Sequence, residues 1–193
     1  NNRSDDAFGV LLVGDREVGK TSLQYRYTND VYSSWLPIDI GISPELKTIL
    51  LDGKIIKLRV LVSSTYMRED VVNMYSKIIQ GVIFVYDITN QETLNGAVEW
   101  LGKIERSNLK HRCKYFVGNK IDKAEKREVD YATAKAFAEH MGMHYMETSA
   151  KHGTNVEELF ATVTALIMKH WNPPPTSQRD STPPTKSRSC PVQ

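Results

Sequence analysis

Cysteine is scarce in this sequence, two among 193 residues, and that excludes a disulfide-stapled scaffold and fits a reducing compartment. Cys113 abuts the apolar run Tyr115-Phe116-Val117 and reads as a buried thiol, whereas Cys190 stands close to the end. Long apolar runs are missing too. None approaches the ~20 residues that span a bilayer, and no signal peptide is visible. Neither sign of charge dominates: 25 Lys and Arg oppose 23 Asp and Glu for a net charge of +2. That balance gives no reason to expect nucleic acid as a partner. The five histidines have no metal-ligand spacing and read as ordinary surface or core residues. Proline is rare until late, six of the eight lying in residues 172–193, with Pro37 and Pro44 the exceptions. The chain begins at Asn1 rather than Met, which leaves room for an upstream segment.

What is present suits one domain with a full hydrophobic core. Residues 8–13 and 81–86 are short, β-branched-rich apolar runs of the kind buried on both faces of a parallel sheet, and 114–117 and 144–148 are weaker members of that class. Asp52-Gly53 marks a hairpin between 45–51 and 54–62, with Ile56, Leu58, Val60 and Val62 on the inward face of the second arm. Residues 92–107, 131–141 and 156–171 are helical in period, the last capped at Thr154 or Asn155. The order predicts an α/β fold: a mostly parallel six-stranded sheet with one antiparallel strand and helices on both faces. Residues 1–7 are an N-terminal extension, 8–171 the domain, and 172–193 a disordered tail rich in Pro, Ser and Thr.

Three motifs each follow a strand. Gly14-Asp15-Arg16-Glu17-Val18-Gly19-Lys20-Thr21 satisfies the phosphate-loop pattern between a strand and a helix, and Ser22 continues it. Backbone N–H groups there wrap a β-phosphate, Lys20 supplies a point charge, and the Thr21 hydroxyl can ligate Mg²⁺. Asn119-Lys120-Ile121-Asp122 places a carboxylate where it can accept from guanine N1–H and the exocyclic amine, bonds that adenine cannot supply. Ser149-Ala150-Lys151 brings a backbone N–H toward the guanine carbonyl.

With these motifs residues 8–171 resemble a Ras-superfamily small GTPase. The stretches Val85-Tyr86-Asp87-Ile88-Thr89, Val129-Asp130-Tyr131-Ala132-Thr133-Ala134-Lys135 and Glu147-Thr148-Ser149-Ala150-Lys151 are similar to Rabs in particular. The resemblance implies a P-loop G domain that binds GDP or GTP with Mg²⁺. In it Asn119 and Asp122 read guanine, Lys120 packs along the base, and Tyr32 stacks on its other side.

The same resemblance exposes departures, all on the γ-phosphate side. Asp39-Ile40-Gly41 stands where the first switch carries Thr-Ile-Gly, between Pro37 and Pro44. The family's Asp-Thr-Ala-Gly-Gln aligns with Val62-Ser63-Ser64-Thr65-Tyr66, which removes a metal ligand, a γ-phosphate reporter and the water-orienting glutamine. Arg16 occupies a position that hydrolysing members keep small. Plainer readings stay open: Val62 as an extension of an apolar face, Asp39 as a solvated acid, Arg16 paired with a nearby acid or acting as a cation on the γ-phosphate. Pro44 and Leu61 stand where Rabs have effector-contacting Phe and Trp, and Tyr75 is retained.

The expectation is an atypical Rab-like guanine-nucleotide-binding protein of vesicle traffic or signalling, with no catalytic residue assigned, impaired hydrolysis and weakened switching. The alternative is a pseudo-GTPase scaffold for which nucleotide is dispensable. Protein effectors or regulators would meet the altered switch surface. Cys190-Pro191-Val192-Gln193 offers a poor prenylation signal, consistent with a cytoplasmic protein peripheral on endomembranes.

Overall fold

The computed structural model describes residues 6–33, 43–64 and 67–170. Pro37, the Asp39-Ile40-Gly41 triplet, Thr65, Tyr66 and the tail with Cys190 lie outside the described residues. In chain order the elements are β1 (Asp6–Val13), α1 (Lys20–Asn29), β2 (Ser43–Leu51), β3 (Lys54–Val62), α2 (Glu69–Met74), β4 (Gly81–Asp87), α3 (Gln91–Arg106), β5 (Cys113–Asn119), a 3-10 stretch (Ile121–Lys126), α4 (Tyr131–His140), β6 (His144–Thr148) and α5 (Val156–His170).

One six-stranded sheet runs β2-β3-β1-β4-β5-β6. Among the described residues β2 and β3 pair antiparallel, with Leu51 opposite Lys54, and the other pairings are parallel. Asp52 (φ 49°) and Gly53 (φ 74°) make the tight turn between them, where two successive left-handed residues match the strand twist. β1 starts at Asp6, earlier than expected, because Asp6 and Ala7 already pair with Ile56 and Lys57.

Alternation along the strands divides two cores. Phe8, Val10 and Leu12 of β1 face α1 and α5, where Leu23 and Tyr27 meet Val156, Leu159, Phe160, Val163 and Ile167. Leu11 and Val13 face α2, α3 and α4, where Val72, Trp100, Ile104, Ala134 and Ala138 gather. Each fully buried large side chain contributes about 1.5–3 kcal/mol, so a strand covered on both sides gains from nearly every residue. That is why β1 and β4 read as unbroken apolar runs.

Two expectations need amendment. Leu61, expected at the effector surface, is 1% exposed and packs with Val13, Met67 and Val72. The chain after β3 returns over that face and covers it. Cys113 is half-buried rather than buried, and burial pushes its thiol pKa up.

Candidate functional site

The segment between β1 and α1 turns sharply at the carboxyl end of the sheet. Gly14 (φ 146°) and Gly19 (φ 99°) bracket it, and Glu17 is left-handed at φ 62°. A Cβ on Gly19 would collide with the Asn119 side-chain amide, and one on Gly14 with the Val85 carbonyl. Successive turns of this kind aim backbone N–H groups into one concavity. At its end α1 begins at Lys20 with no side-chain hydrogen bond capping its N-terminus, so the helix presents its first-turn N–H groups to the loop. Lys20 is 7% exposed, and its ammonium donates to the carbonyls of Gly14 (2.8 Å) and Asp15 (2.5 Å). Thr21 and Ser22 are half-buried in the first turn, Val18 is buried in the core, and Arg16 and Glu17 are exposed.

Asp15 turns toward α3. Its carboxylate fills the space a side chain on Gly96 would need. Burial raises its pKa, Lys20 and Lys103 oppose that rise, and Glu99 adds to it.

Asn119 ties three segments together. Its amide N–H donates to the Val18 carbonyl (2.9 Å), and its oxygen accepts from the Thr148 hydroxyl (3.1 Å) and the Ala150 N–H (3.2 Å). At 1% exposed, it holds the phosphate loop against the segments that follow β5 and β6. The Ser149 hydroxyl donates to the Asp122 carboxylate at 2.6 Å and fixes that group's rotamer. Lys120, left-handed at φ 72°, pairs with Asp87 at 2.7 Å. Burial alone would raise the Asp87 pKa, but the Lys120 bond and two bonds from Thr89 outweigh it and hold it below the ordinary carboxylate value. Arg26 of α1 donates to the carbonyls of Ala150 (2.9 Å) and Lys151 (2.8 Å), bracing that loop from behind.

The expected residues thus fall into one cluster: the loop from Asp15 to Ser22, Asn119, Lys120 and Asp122, and Ser149 to Lys151. Tyr32, expected to stack on the base, is an exposed side chain, 40% accessible. Asp87 and Arg26 were missed by sequence reasoning. Asp87 carried a signal, a carboxylate ending a buried strand, whereas nothing in the helical pattern marked Arg26. Val62 is 1% exposed in the core with Val60 and Leu23, and its side chain offers no oxygen to a metal. Among the described residues no group of three or more His, Cys, Asp or Glu side chains is placed to hold a metal. Thr21 remains the one described candidate from the sequence, and the other ligands of an octahedral Mg²⁺ would be phosphate oxygens and water.

This sheet order, with a glycine-bracketed loop opening α1 at the carboxyl end of β1, defines a P-loop nucleotide-binding domain. The sequence model of the Ras family matches residues 9–169. The chain is also similar to the Ras-related protein RABD2a of Arabidopsis thaliana, at 37% identity over 193 residues, covering 100% of this chain and 95% of that protein. It belongs to the Ras family of small GTPases and is Rab-like. Among the described residues no helix is long and apolar enough to cross a membrane.

Proposed function

We propose that the protein is an atypical Rab-like switch of vesicle traffic that holds GDP or GTP through an intact guanine side while its γ-phosphate side is impaired. The observation that carries this reading is Val62, an aliphatic side chain spent on the core where the family places a metal-binding carboxylate. The guanine-side motif residues Asn119, Lys120, Asp122, Ser149, Ala150 and Lys151 support the reading by contrast. Asp122, oriented by Ser149, accepts from the base, while Asn119 locks the flanking loops and takes up the Ala150 N–H that the sequence assigned to the guanine carbonyl. Lys20 and the α1 N-terminus would meet the phosphates, and the Thr21 hydroxyl would offer an oxygen to Mg²⁺. Arg16 is exposed beside the phosphates, and Tyr66 has no amide with which to orient a water. The protein then works as a domain of residues 8–171 with flanking segments, peripheral on endomembranes through its tail.

Single-turnover GTP cleavage tests the reading. The expected rate lies at or below that of unassisted family members, on the order of 10⁻⁴ per second. Tyr66→Gln alone changes it little, since Val62 still offers no oxygen. Cleavage at several per second with no partner present would refute the proposal.

A further inference from the structure

Beside the guanine-side loops lies a polar network built from Arg127, Glu147, Tyr145 and Tyr86. Arg127 ends the stretch that carries Lys120 and Asp122. Its guanidinium grips the Glu147 carboxylate through two parallel bonds, 2.7 Å each, and also donates to the Val129 carbonyl at 3.0 Å. Glu147 lies on β6, two residues before Ser149. Its carboxylate accepts a third bond from the Tyr145 hydroxyl at 3.0 Å, and that oxygen lies 2.6 Å from the hydroxyl of Tyr86 on β4. The proton order follows. Tyr145 donates its one hydroxyl proton to Glu147, so Tyr86 must donate to Tyr145.

Two neighbours show that the network is built in. Gly118 on β5 leaves the space the two hydroxyls use: a Cβ there would come within 2.8 Å of the Tyr86 oxygen and 2.9 Å of the Tyr145 oxygen. Burial pushes the Tyr86 pKa up to about 12, the Tyr145 bond and Arg127 opposing that rise, and burial also raises that of Tyr145, so both hydroxyls stay protonated donors. The carbonyl of Glu147 accepts from Asn155 at 2.8 Å, which ties the same residue to the turn before α5.

We infer that the Arg127–Glu147–Tyr145–Tyr86 network is the positioning device for base recognition. Asp122 is held from two sides. Ser149 grips its carboxylate, and Arg127 anchors the end of its backbone stretch, and the two supports converge on Glu147 of β6 and on Ser149 just past its end. Glu147 therefore sets the register between the two base-facing loops without touching the base. Charge-assisted bidentate pairing gives that register a defined geometry, and the tyrosine hydroxyl fixes which carboxylate oxygen faces which partner. The network governs discrimination for guanine more than grip on phosphate.

The inference rests on the guanine-nucleotide reading, so the test separates the two. Dissociation constants are measured for GDP and for inosine diphosphate, which lacks the exocyclic amine, beside the melting temperature of each variant. Wild-type protein should prefer GDP; equal affinity for the two would overturn the guanine reading and this inference together. In Glu147→Gln the preference should fall about tenfold, because a tilted Asp122 loses its bond to the amine and keeps the one to N1–H that both nucleotides offer, so inosine diphosphate affinity stays within about threefold. A lower melting temperature with both nucleotides weakened equally would mean the network only stabilises the fold. The double variant Tyr86→Phe with Tyr145→Phe guards against misfolding, since it removes both hydroxyls and leaves neither orphaned. It should melt near wild type with a reduced preference, and an unchanged preference would overturn the inference.

Discussion

Gly96 sits in the middle of α3, where glycine ordinarily costs about 0.5–1 kcal/mol relative to alanine. The Asp15 carboxylate occupies the space a methyl group would take. Gly96→Ala is therefore expected to forfeit the usual helix gain and to weaken nucleotide binding several-fold, and a titration with fluorescent GDP checks it. Asp15 carries a second consequence. Its folded-state pKa is raised, first by burial, so ionisation costs stability at neutral pH, and the cost vanishes below the unfolded carboxyl value of about 3.9. Asp15→Asn should then raise the melting temperature at pH 7 and lose that advantage as the pH falls toward 4. An advantage that persists at low pH would contradict the assignment. Asp87 has the opposite sign. Its lowered pKa contributes stability that is present above about 3.9 and is lost as pH falls through its folded value. The direct nucleotide contacts should respond most: Lys20→Ala and Asp122→Ala are each expected to weaken GDP at least tenfold, about 1.4 kcal/mol, by calorimetry.

At the scale of elements, the loops after β1, β5 and β6 are three short segments brought together by parallel register. Asn119 crosses between them, so Asn119→Ala strands the Val18 carbonyl and the Ala150 N–H, an expected cost of about 1–3 kcal/mol per orphaned group. Denaturant unfolding of the nucleotide-free protein reads that loss directly. Much of this was legible in the sequence. The phosphate loop is contiguous, its glycines and Lys20 are obligatory, and β1 and α1 on either side announce themselves by period. The hairpin at Asp52-Gly53 was equally plain. What the sequence concealed arises from residues far apart in the chain. Leu61 obeys strand alternation and would face outward were β3 bare, but Met67 and Val72 cover it. Tyr86, Arg127 and Tyr145 meet only because β4 and β6 flank β5, and no local pattern encodes that meeting. Val62 was read correctly as inward by phase, although phase alone could not separate a core residue from a displaced ligand.

For the whole molecule, the proposed function turns on an asymmetry between the guanine side and the γ-phosphate side. A ligand shifts an equilibrium only as far as its affinity differs between the two states. On the proposed reading, Asp39 and Thr65 stand in place of the reporters of the terminal phosphate, so GDP and GTP should bias the partner surface almost equally. That surface is itself unusual, with Pro44 exposed, Leu61 withdrawn and Tyr75 half-buried. A partner is therefore expected to bind both nucleotide states within about threefold, and a tenfold preference, about 1.4 kcal/mol, would reveal a working switch. Membrane attachment through the tail is checked separately by intact mass of protein from its native cell, where lipid on Cys190 is the expected result. The most direct test of the central claim is the rate of GDP release with Mg²⁺ present and after chelation. The proposed pairing of a guanine side with a depleted metal site predicts that chelation accelerates release by less than about threefold, since few contacts would pass through the ion. An acceleration of a hundredfold would show that the metal site is intact and that another oxygen replaces the carboxylate missing at Val62.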